Sequence, residues 1–284
     1  MSTIIKNIKN PILSFDDFLS SSPKLINFLL KFKKYDPNPS SEIYIESKKY
    51  IVQLATKQKD FYQIFRLRSK CFKRGVLKNI KDFSLENDCY DKFSDYLIVK
   101  DKVDDKVLAT YRLIPSFKTN DYYSSSEFDL SKLLELDGIK IELGRACTDK
   151  EKTSPIIFAL LWKGLLEYAN RVDAKYLFGC SSIFCGEEYS TAIFNDFLEN
   201  DFVHSRIISM PKYKYLPKSN IKKKEKTVVN VKDIKIPSLI KSYLNAGAKI
   251  CSFPAYDKDF KCLDLLTLFN IKDINNRYEE KFKS

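Results

Sequence analysis

The chain has one histidine, one tryptophan, two methionines and seven glycines among 284 residues. With His204 alone, in a polar stretch, a Ser-His-Asp or Cys-His mechanism would rest on one unsupported residue, so hydrolytic triads are set aside. The seven cysteines include no C-x-x-C pair, and Cys180 and Cys185 have no second pair and no histidine nearby. An ordinary zinc site is thereby excluded. The odd count argues against a disulfide framework, and structural thiols in a reducing compartment are expected. No Gly-rich phosphate loop and no internal repeat is found. The longest apolar run, Ile156 to Ala169, is broken by Lys163 and falls short of the ~20 residues that cross a bilayer. The N-terminus also lacks the apolar core and cleavage site of a secretory signal, so a cytoplasmic protein is expected.

What is present is a globular composition, 44% hydrophobic and 30% charged, with 49 basic against 37 acidic residues and a net charge of +12. Such an excess favours an acidic partner: nucleic acid, an anionic membrane face or an acidic carrier protein. A lysine-rich, solvated surface accounts for it equally. No helix-turn-helix, zinc or RNA-recognition signature accompanies the charge, so no nucleic acid partner is expected.

Residues 1–40 read as an N-terminal extension. Within it Leu25 to Tyr35 forms a short basic amphipathic stretch, suited to an anionic membrane surface or to docking on the domain. Residues 41–275 read as one mixed domain around a single sheet, followed by a charged tail, 276–284. Strands are expected at Ile43–Ile45, Tyr50–Ala55, Tyr96–Val99, Val107–Ile114, Ile139–Thr148 and Lys175–Gly179. Helices are expected at Gln58–Phe72, from Pro155 to about Arg171 with Thr153 or Ser154 as cap, and at Glu187–Asn200. A unit over 237–270 completes the sheet, with a helix at Pro237–Asn245 and strands near Lys249–Phe253 and Cys262–Leu268.

Four constellations bear on chemistry. In Ile139–Thr148 strict alternation puts Glu142 and Arg145 on opposite faces, but Gly144 between them marks a bulge that turns both toward one cleft. The splayed strand would then expose N–H groups suited to an oxyanion; a structural ion pair at a sheet edge is the plainer reading. Glu86, Asp88 and Asp91 resemble a metal loop only superficially and do not fit an EF-hand. They form either a solvated acidic loop or, folded over Arg68 and Arg112, a charged wall around a polar substrate. Arg68 lies on the apolar stripe of its helix and must be paired there. Arg112 ends an apolar strand, where a guanidinium clamps a carboxylate. The helix start at Lys150, Lys152, Thr153 and Ser154 suits a phosphate.

Taken together, Leu108-Ala-Thr-Tyr-Arg-Leu, Tyr123-Ser-Ser-Ser-Glu-Phe-Asp-Leu130, Glu142-Leu-Gly-Arg-Ala-Cys147, Leu161-Trp-Lys-Gly164, Tyr176-Leu-Phe-Gly-Cys180 and Pro254-Ala-Tyr-Asp257 resemble the hemolysin-like N-acyltransferases, the ornithine-lipid L-ornithine Nα-acyltransferases among them. The resemblance spans roughly residues 50 to 270. It implies an α+β, three-layer α/β/α GNAT fold, a mixed central sheet with a bulged fourth strand. It also implies transfer of a fatty acyl group from acyl carrier protein, or from acyl-CoA, to an amino acid's α-amine. Glu142 is then the general base, Arg145 its partner or that of the acidic cluster, and Cys147 a thiol on the same strand to be tested. Arg68, Glu86, Asp88, Asp91 and Arg112 would hold the amino acid. Gly144 and Ala146 would offer backbone N–H groups, Lys150, Lys152, Thr153 and Ser154 the phosphopantetheine phosphate site, and Trp162 a wall for the acyl chain. No permanently bound cofactor and no metal is implied. The partners implied are acyl carrier protein, the amino acid and an anionic membrane, with the enzyme at the inner face of the cytoplasmic membrane. The acyl-homoserine lactone synthases share many of these positions and form the alternative enzyme reading; a non-catalytic basic nucleic-acid-binding protein and a catalytically dead scaffold on the same fold are the non-enzyme ones.

Overall fold

The computed structural model describes residues 38–72, 86–152, 154–218 and 234–274. The expected basic stretch at 25–35, the tail at 276–284 and Thr153 lie outside the described residues. Nine strands form one sheet in the order β1-β2-β3-β4-β5-β6-β9-β7, with β8 pairing on β9. They are β1 Tyr44–Glu46, β2 Tyr50–Leu54, β3 Asp95–Asp101, β4 Val107–Pro115, β5 Ile139–Thr148, β6 Ala174–Ile183, β7 Lys249–Ile250, β8 Ala255–Asp257 and β9 Cys262–Asn270. The helices are α1 Gln58–Phe72, α2 Ser131–Leu134, α3 Pro155–Arg171, α4 Ser190–Glu199 and α5 Ser238–Asn245. The fold is the expected α+β class. The bulged strand is fifth in chain order rather than fourth, because the β1 edge strand precedes the others.

Local chemistry explains the two helices that position the site. Helix α1 buries Phe61, Ile64, Phe65 and Arg68 along one stripe and carries Asp60 in its first turn and Lys70 in its last, charges that complement the helix dipole. Helix α3 starts where the Ser154 side chain accepts from the Ile157 N–H and Pro155 fills the first turn, a position that needs no amide hydrogen. Its apolar stripe, including Ile157, Leu161, Trp162 and Leu165, packs on β2 to β5 with Leu97, Val99, Leu108 and Leu143. Against the opposite face lies α1, through Phe61, Phe65, Tyr96 and Ile98. Further along that face Tyr122, Phe128, Leu130 and Leu133 cover β6 and β9. Helices on both faces of one sheet give the three layers.

Strand β6 runs four residues beyond the expected Gly179, to Ile183, because β9 pairs with it from Tyr176↔Asn270 through to its end at Ile183↔Leu263. Among the described strands only β5 and β6 pair in parallel, joined by α3, and their pairing ends at Glu142↔Phe178. From there the strands part. At the fork the backbones are close: a Cβ on Gly179 would meet the Leu143 carbonyl oxygen at 2.2 Å, a position open only to glycine.

Candidate active site

The opening between β5 and β6 is a cavity of about 300 Å³, at the lower end of the range typical for small-ligand sites. Leu143, Gly144, Arg145 and Ala146 line one side, and Phe178 to Ser182 the other. Tyr111, Leu239, Tyr243 and Phe269 make an apolar end, while Tyr123, Glu142, Asp257 and Asp264 make a polar one. The exposed rings of Phe184 and Phe260 stand at its rim.

The bulge is real, and it is centred one residue later than glycine composition suggests. In the β4–β5 ladder Arg112 faces Gly144 and Thr110 faces Cys147, so two residues, Arg145 and Ala146, oppose the single Tyr111. Arg145, not Gly144, takes the left-handed backbone, with φ 53°. That conformation costs a branched or bulky residue of order 1 kcal/mol and concentrates at functional sites. The extra residue resets the alternation: Glu142 and Arg145 now share a face, and the backbone N–H groups of the bulge lie beside the cavity.

Glu142 is buried, 2% exposed. Its Oε1 accepts the Ser124 N–H at 2.6 Å and its Oε2 the Tyr123 N–H at 2.9 Å. Burial pushes its carboxyl above the ordinary carboxylate value, while the Ser124 and Tyr123 donors pull the other way. Each oxygen keeps a lone pair for a proton. A buried carboxylate with a raised pKa at a cavity wall is suited to proton abstraction.

Arg68, Arg112 and Arg145 meet Glu86, Asp88 and Asp91 in one network, three cations against three anions. Arg68 Nη1 reaches Asp91 at 2.8 Å and its Nε bonds Glu86. Arg112 Nη1 holds both oxygens of Asp88 at 2.6 and 2.8 Å. Arg145 Nη2 reaches Asp88 at 3.0 Å, and its guanidinium lies over the Tyr123 ring. The acidic loop is thus neither solvated nor free for a metal. Arg145 pairs with that cluster, not with Glu142. Arg112 uses Nη1 for Asp88, yet its Nε is buried without a partner. That Nε and Nη2 lie 3.6 and 3.5 Å from where a Gly144 Cβ would stand. This edge of Arg112 borders the cavity.

Other expected residues sit elsewhere. Cys147 is buried among the α1-side hydrophobics, does not line the cavity, and burial raises its thiol pKa well above the ordinary value. The bulge places it on the α1 side, so it cannot reach a substrate held between β5 and β6. Trp162 does not line the cavity either: it packs edge-on against Tyr243 and Phe269, which do, and so stiffens the apolar wall from behind. At the start of α3, Lys150 is exposed and Lys152 is paired with Asp104 at 2.9 Å. Ser154 caps α3 with its side chain, leaving the phosphate reading to the remaining first-turn N–H groups.

Sequence reasoning overlooked a second group of carboxylates, Glu127, Asp257 and Asp264, all buried, with one oxygen from each within 4.8 Å of the others. One signal was available. Asp264 interrupts the apolar run Cys262–Leu266 of β9, and a buried charge in a strand demands a reason.

Residues 63–163 match the family described as Acetyltransferase (GNAT) domain. The L-ornithine N(alpha)-acyltransferase of Agrobacterium fabrum (strain C58 / ATCC 33970) is 29% identical over 225 residues, 72% of this chain and 72% of that one. The enzyme of the same name from Rhizobium meliloti (strain 1021) is 29% identical over 211 residues, 67% and 68% of the two chains. Among solved structures, the AHL synthase LasI is 13% identical, covering 78% of this chain and 90% of its own, with a TM-score of 0.44. FeeM, an N-acyl amino acid synthase from uncultured soil microbes, is 8% identical, covering 85% and 96%, with a TM-score of 0.42. At these TM-scores no reading of the site rests on either structure. The sequence matches do carry weight: this chain is an acyltransferase, similar at residues 63–163 to the GNAT acetyltransferase domain and over 67–72% of its length to enzymes named L-ornithine N(alpha)-acyltransferase.

Proposed function

We propose that the enzyme transfers a fatty acyl group from acyl carrier protein to the α-amine of an amino acid, ornithine by analogy with the named relatives, giving a lyso-aminolipid. The observation that carries this reading is Glu142: a buried carboxylate with raised pKa at the point where β5 and β6 part. An α-ammonium is not nucleophilic until it loses a proton. Glu142 takes that proton, and the freed amine attacks the thioester carbonyl carbon. The bulge N–H groups of Arg145 and Ala146 steady the oxygen as it becomes anionic. When the C–S bond breaks, the leaving thiolate recovers the amine's second surplus proton, and the amide keeps one. The proton on Glu142 passes to solvent, restoring the base. The thioester is already activated, so no acyl-enzyme and no cysteine nucleophile is required.

The unpartnered Arg112 Nε at the cavity edge supports a role in taking the acceptor's carboxylate, with Arg68, Glu86, Asp88, Asp91 and Arg145 holding Arg112 in place. The apolar end, Tyr111, Leu239, Tyr243 and Phe269, suits the acyl chain, and the start of α3 near Lys150 suits the phosphopantetheine phosphate. The net charge of +12 fits docking of an acidic carrier protein, an association that weakens with salt. No helix among the described residues is long and apolar enough to cross a membrane. Incubating the purified protein with 3-hydroxyacyl carrier protein and a panel of amino acids, then analysing lipids by mass spectrometry, tests the reading. A mono-N-acylated amino acid is expected. No product across the panel would reject it, and an acyl lactone formed from an S-adenosylmethionine acceptor would favour a lactone synthase.

A further inference from the structure

Glu127, Asp257 and Asp264 share one small volume, and no Lys or Arg forms an ion pair with any of them among the described residues. Asp257 Oδ1 accepts the backbone N–H groups of Asp259 and Phe260 at 2.7 and 3.0 Å. Asp264 accepts from the Ser182 hydroxyl and, at 3.6 Å, from the Cys262 thiol. Glu127 differs from both. It is 0% exposed, and neither of its oxygens has a hydrogen-bond partner of ordinary geometry; the Tyr123 hydroxyl, the Cys180 thiol and the Asp264 carboxyl are its polar neighbours. Leaving a buried carboxylate unmatched is costly: with no cationic side chain paired to the three among the described residues, burial and the neighbouring Asp264 keep the proton on Glu127, and a cationic ligand would displace it.

The cluster also adjoins the reacting centre. Asp257 and Asp264 line the same cavity as Glu142. Ser124 donates to Glu142, the Cys180 thiol donates to the Ser124 hydroxyl at 3.4 Å, and Cys180 in turn faces Glu127. Two neutral side chains therefore separate the base from the triad. We propose that Glu127, Asp257 and Asp264 form a subsite for a second, terminal ammonium group on the acceptor, so that the enzyme selects a diamino acid over its monoamino counterpart. The inference rests on the acceptor reading of the cavity given above. An ammonium offers three N–H donors, and three carboxylates supply three acceptors. A hard divalent cation wants six or more oxygens and usually retains water, whereas here thiols and an aromatic ring fill the surroundings.

Ornithine and norvaline, which differ only in the terminal amine, separate the outcomes. Without acyl donor, ornithine is expected to bind the full-length protein at least about tenfold more tightly than norvaline by calorimetry, the scale of a charge-assisted contact. In turnover, the ratio of kcat/KM for ornithine to that for norvaline is expected to fall about tenfold in Glu127→Gln and in Asp264→Asn. Equal binding of the two amino acids, or a ratio unchanged in both variants, overturns the subsite. So does stabilisation by Mn²⁺ or Ca²⁺ alone where ornithine gives none, which would make it a metal site. Ornithine binding that depends on Glu127 without acylation of any amino acid would instead reject the acyltransfer reading and leave the subsite standing.

Discussion

Glu142 and Phe178 are register partners, and they are the last pair before β5 and β6 separate. Glu142 therefore sits at the apex of a fork and not within a ladder. Its backbone is fixed by strand pairing on both sides, while its side chain meets a space that no strand fills. The Arg145–Ala146 bulge opens the same fork from the other side of β5, where two residues oppose Tyr111.

The fork makes a sharp distinction between two glycines. In Gly179→Ala the new methyl would strike the Leu143 carbonyl at 2.2 Å, a backbone atom that cannot rotate aside. The expected cost is about 2 kcal/mol or more of stability, with loss of acyl transfer, measured by chemical denaturation and by turnover. In Gly144→Ala the nearest atom is Arg112 Nη2 at 3.5 Å, ordinary contact. That variant should fold with stability within about 1 kcal/mol of wild type. It should raise KM for the amino acid, because the methyl covers the free edge of Arg112.

Removing one member of the arginine–carboxylate network should be severe. Arg68 is fully buried and holds Glu86 and Asp91, so Arg68→Met leaves the network two cations against three carboxylates, with Glu86 held by Arg145 alone and Asp91 by Arg112 alone. A loss of about 3–5 kcal/mol is expected, read from the urea midpoint. A loss below about 1 kcal/mol would show that the network is exposed in solution.

Cys147 gives the opposite expectation. Buried behind β5 and away from the cavity, it has no path to the thioester. Cys147→Ala should keep acyl transfer within about threefold of wild type, at a stability cost of about 1 kcal/mol for lost packing. Loss of turnover together with an acylated Cys147 in the wild-type protein would refute direct attack by the amine.

Stability should depend on pH through Glu127. Burial, reinforced by the neighbouring Asp264, pushes its carboxyl up to about 8 in the folded protein, against about 4.3 in the unfolded chain. The folded state thus holds the proton more tightly. Stability falls as pH rises from the unfolded value through about 8, by about 1.4 kcal/mol per pH unit at most. Glu127→Gln cannot ionise and should lose this decline, so thermal melting of the variant should overtake wild type at pH 8. Parallel melting curves from pH 5 to pH 9 would contradict it.

Much of the fold was legible because its signals are local. Apolar spacing marks Gln58–Phe72, and Ser154 with Pro155 marks the start of α3. Strand β5 was read to its end residues, Ile139–Thr148. Two kinds of feature were not legible. Strand β6 outruns its apolar core because β9, about ninety residues on, pairs with it, a contact no local pattern encodes. The positive φ falls on Arg145, although glycine is the residue that adopts it most easily. At the site, the shared face of Glu142 and Arg145 was legible from the Gly144 signal. The pairing of Arg112 with Asp88 and the meeting of Glu127, Asp257 and Asp264 depend on segments brought together only by folding.

The most direct measurement is single-turnover acyl transfer from acyl carrier protein to the amino acid, followed against pH in wild type and Glu142→Gln. With Glu142 as base, wild-type rates should fall as pH drops through a value above the ordinary carboxylate range, since burial raises that carboxyl. The variant should be slower by about 10²–10⁴-fold, lose that acid limb, and bind acyl carrier protein within about twofold of wild type. A Glu142→Gln enzyme with wild-type rates and the same acid limb would contradict the assignment.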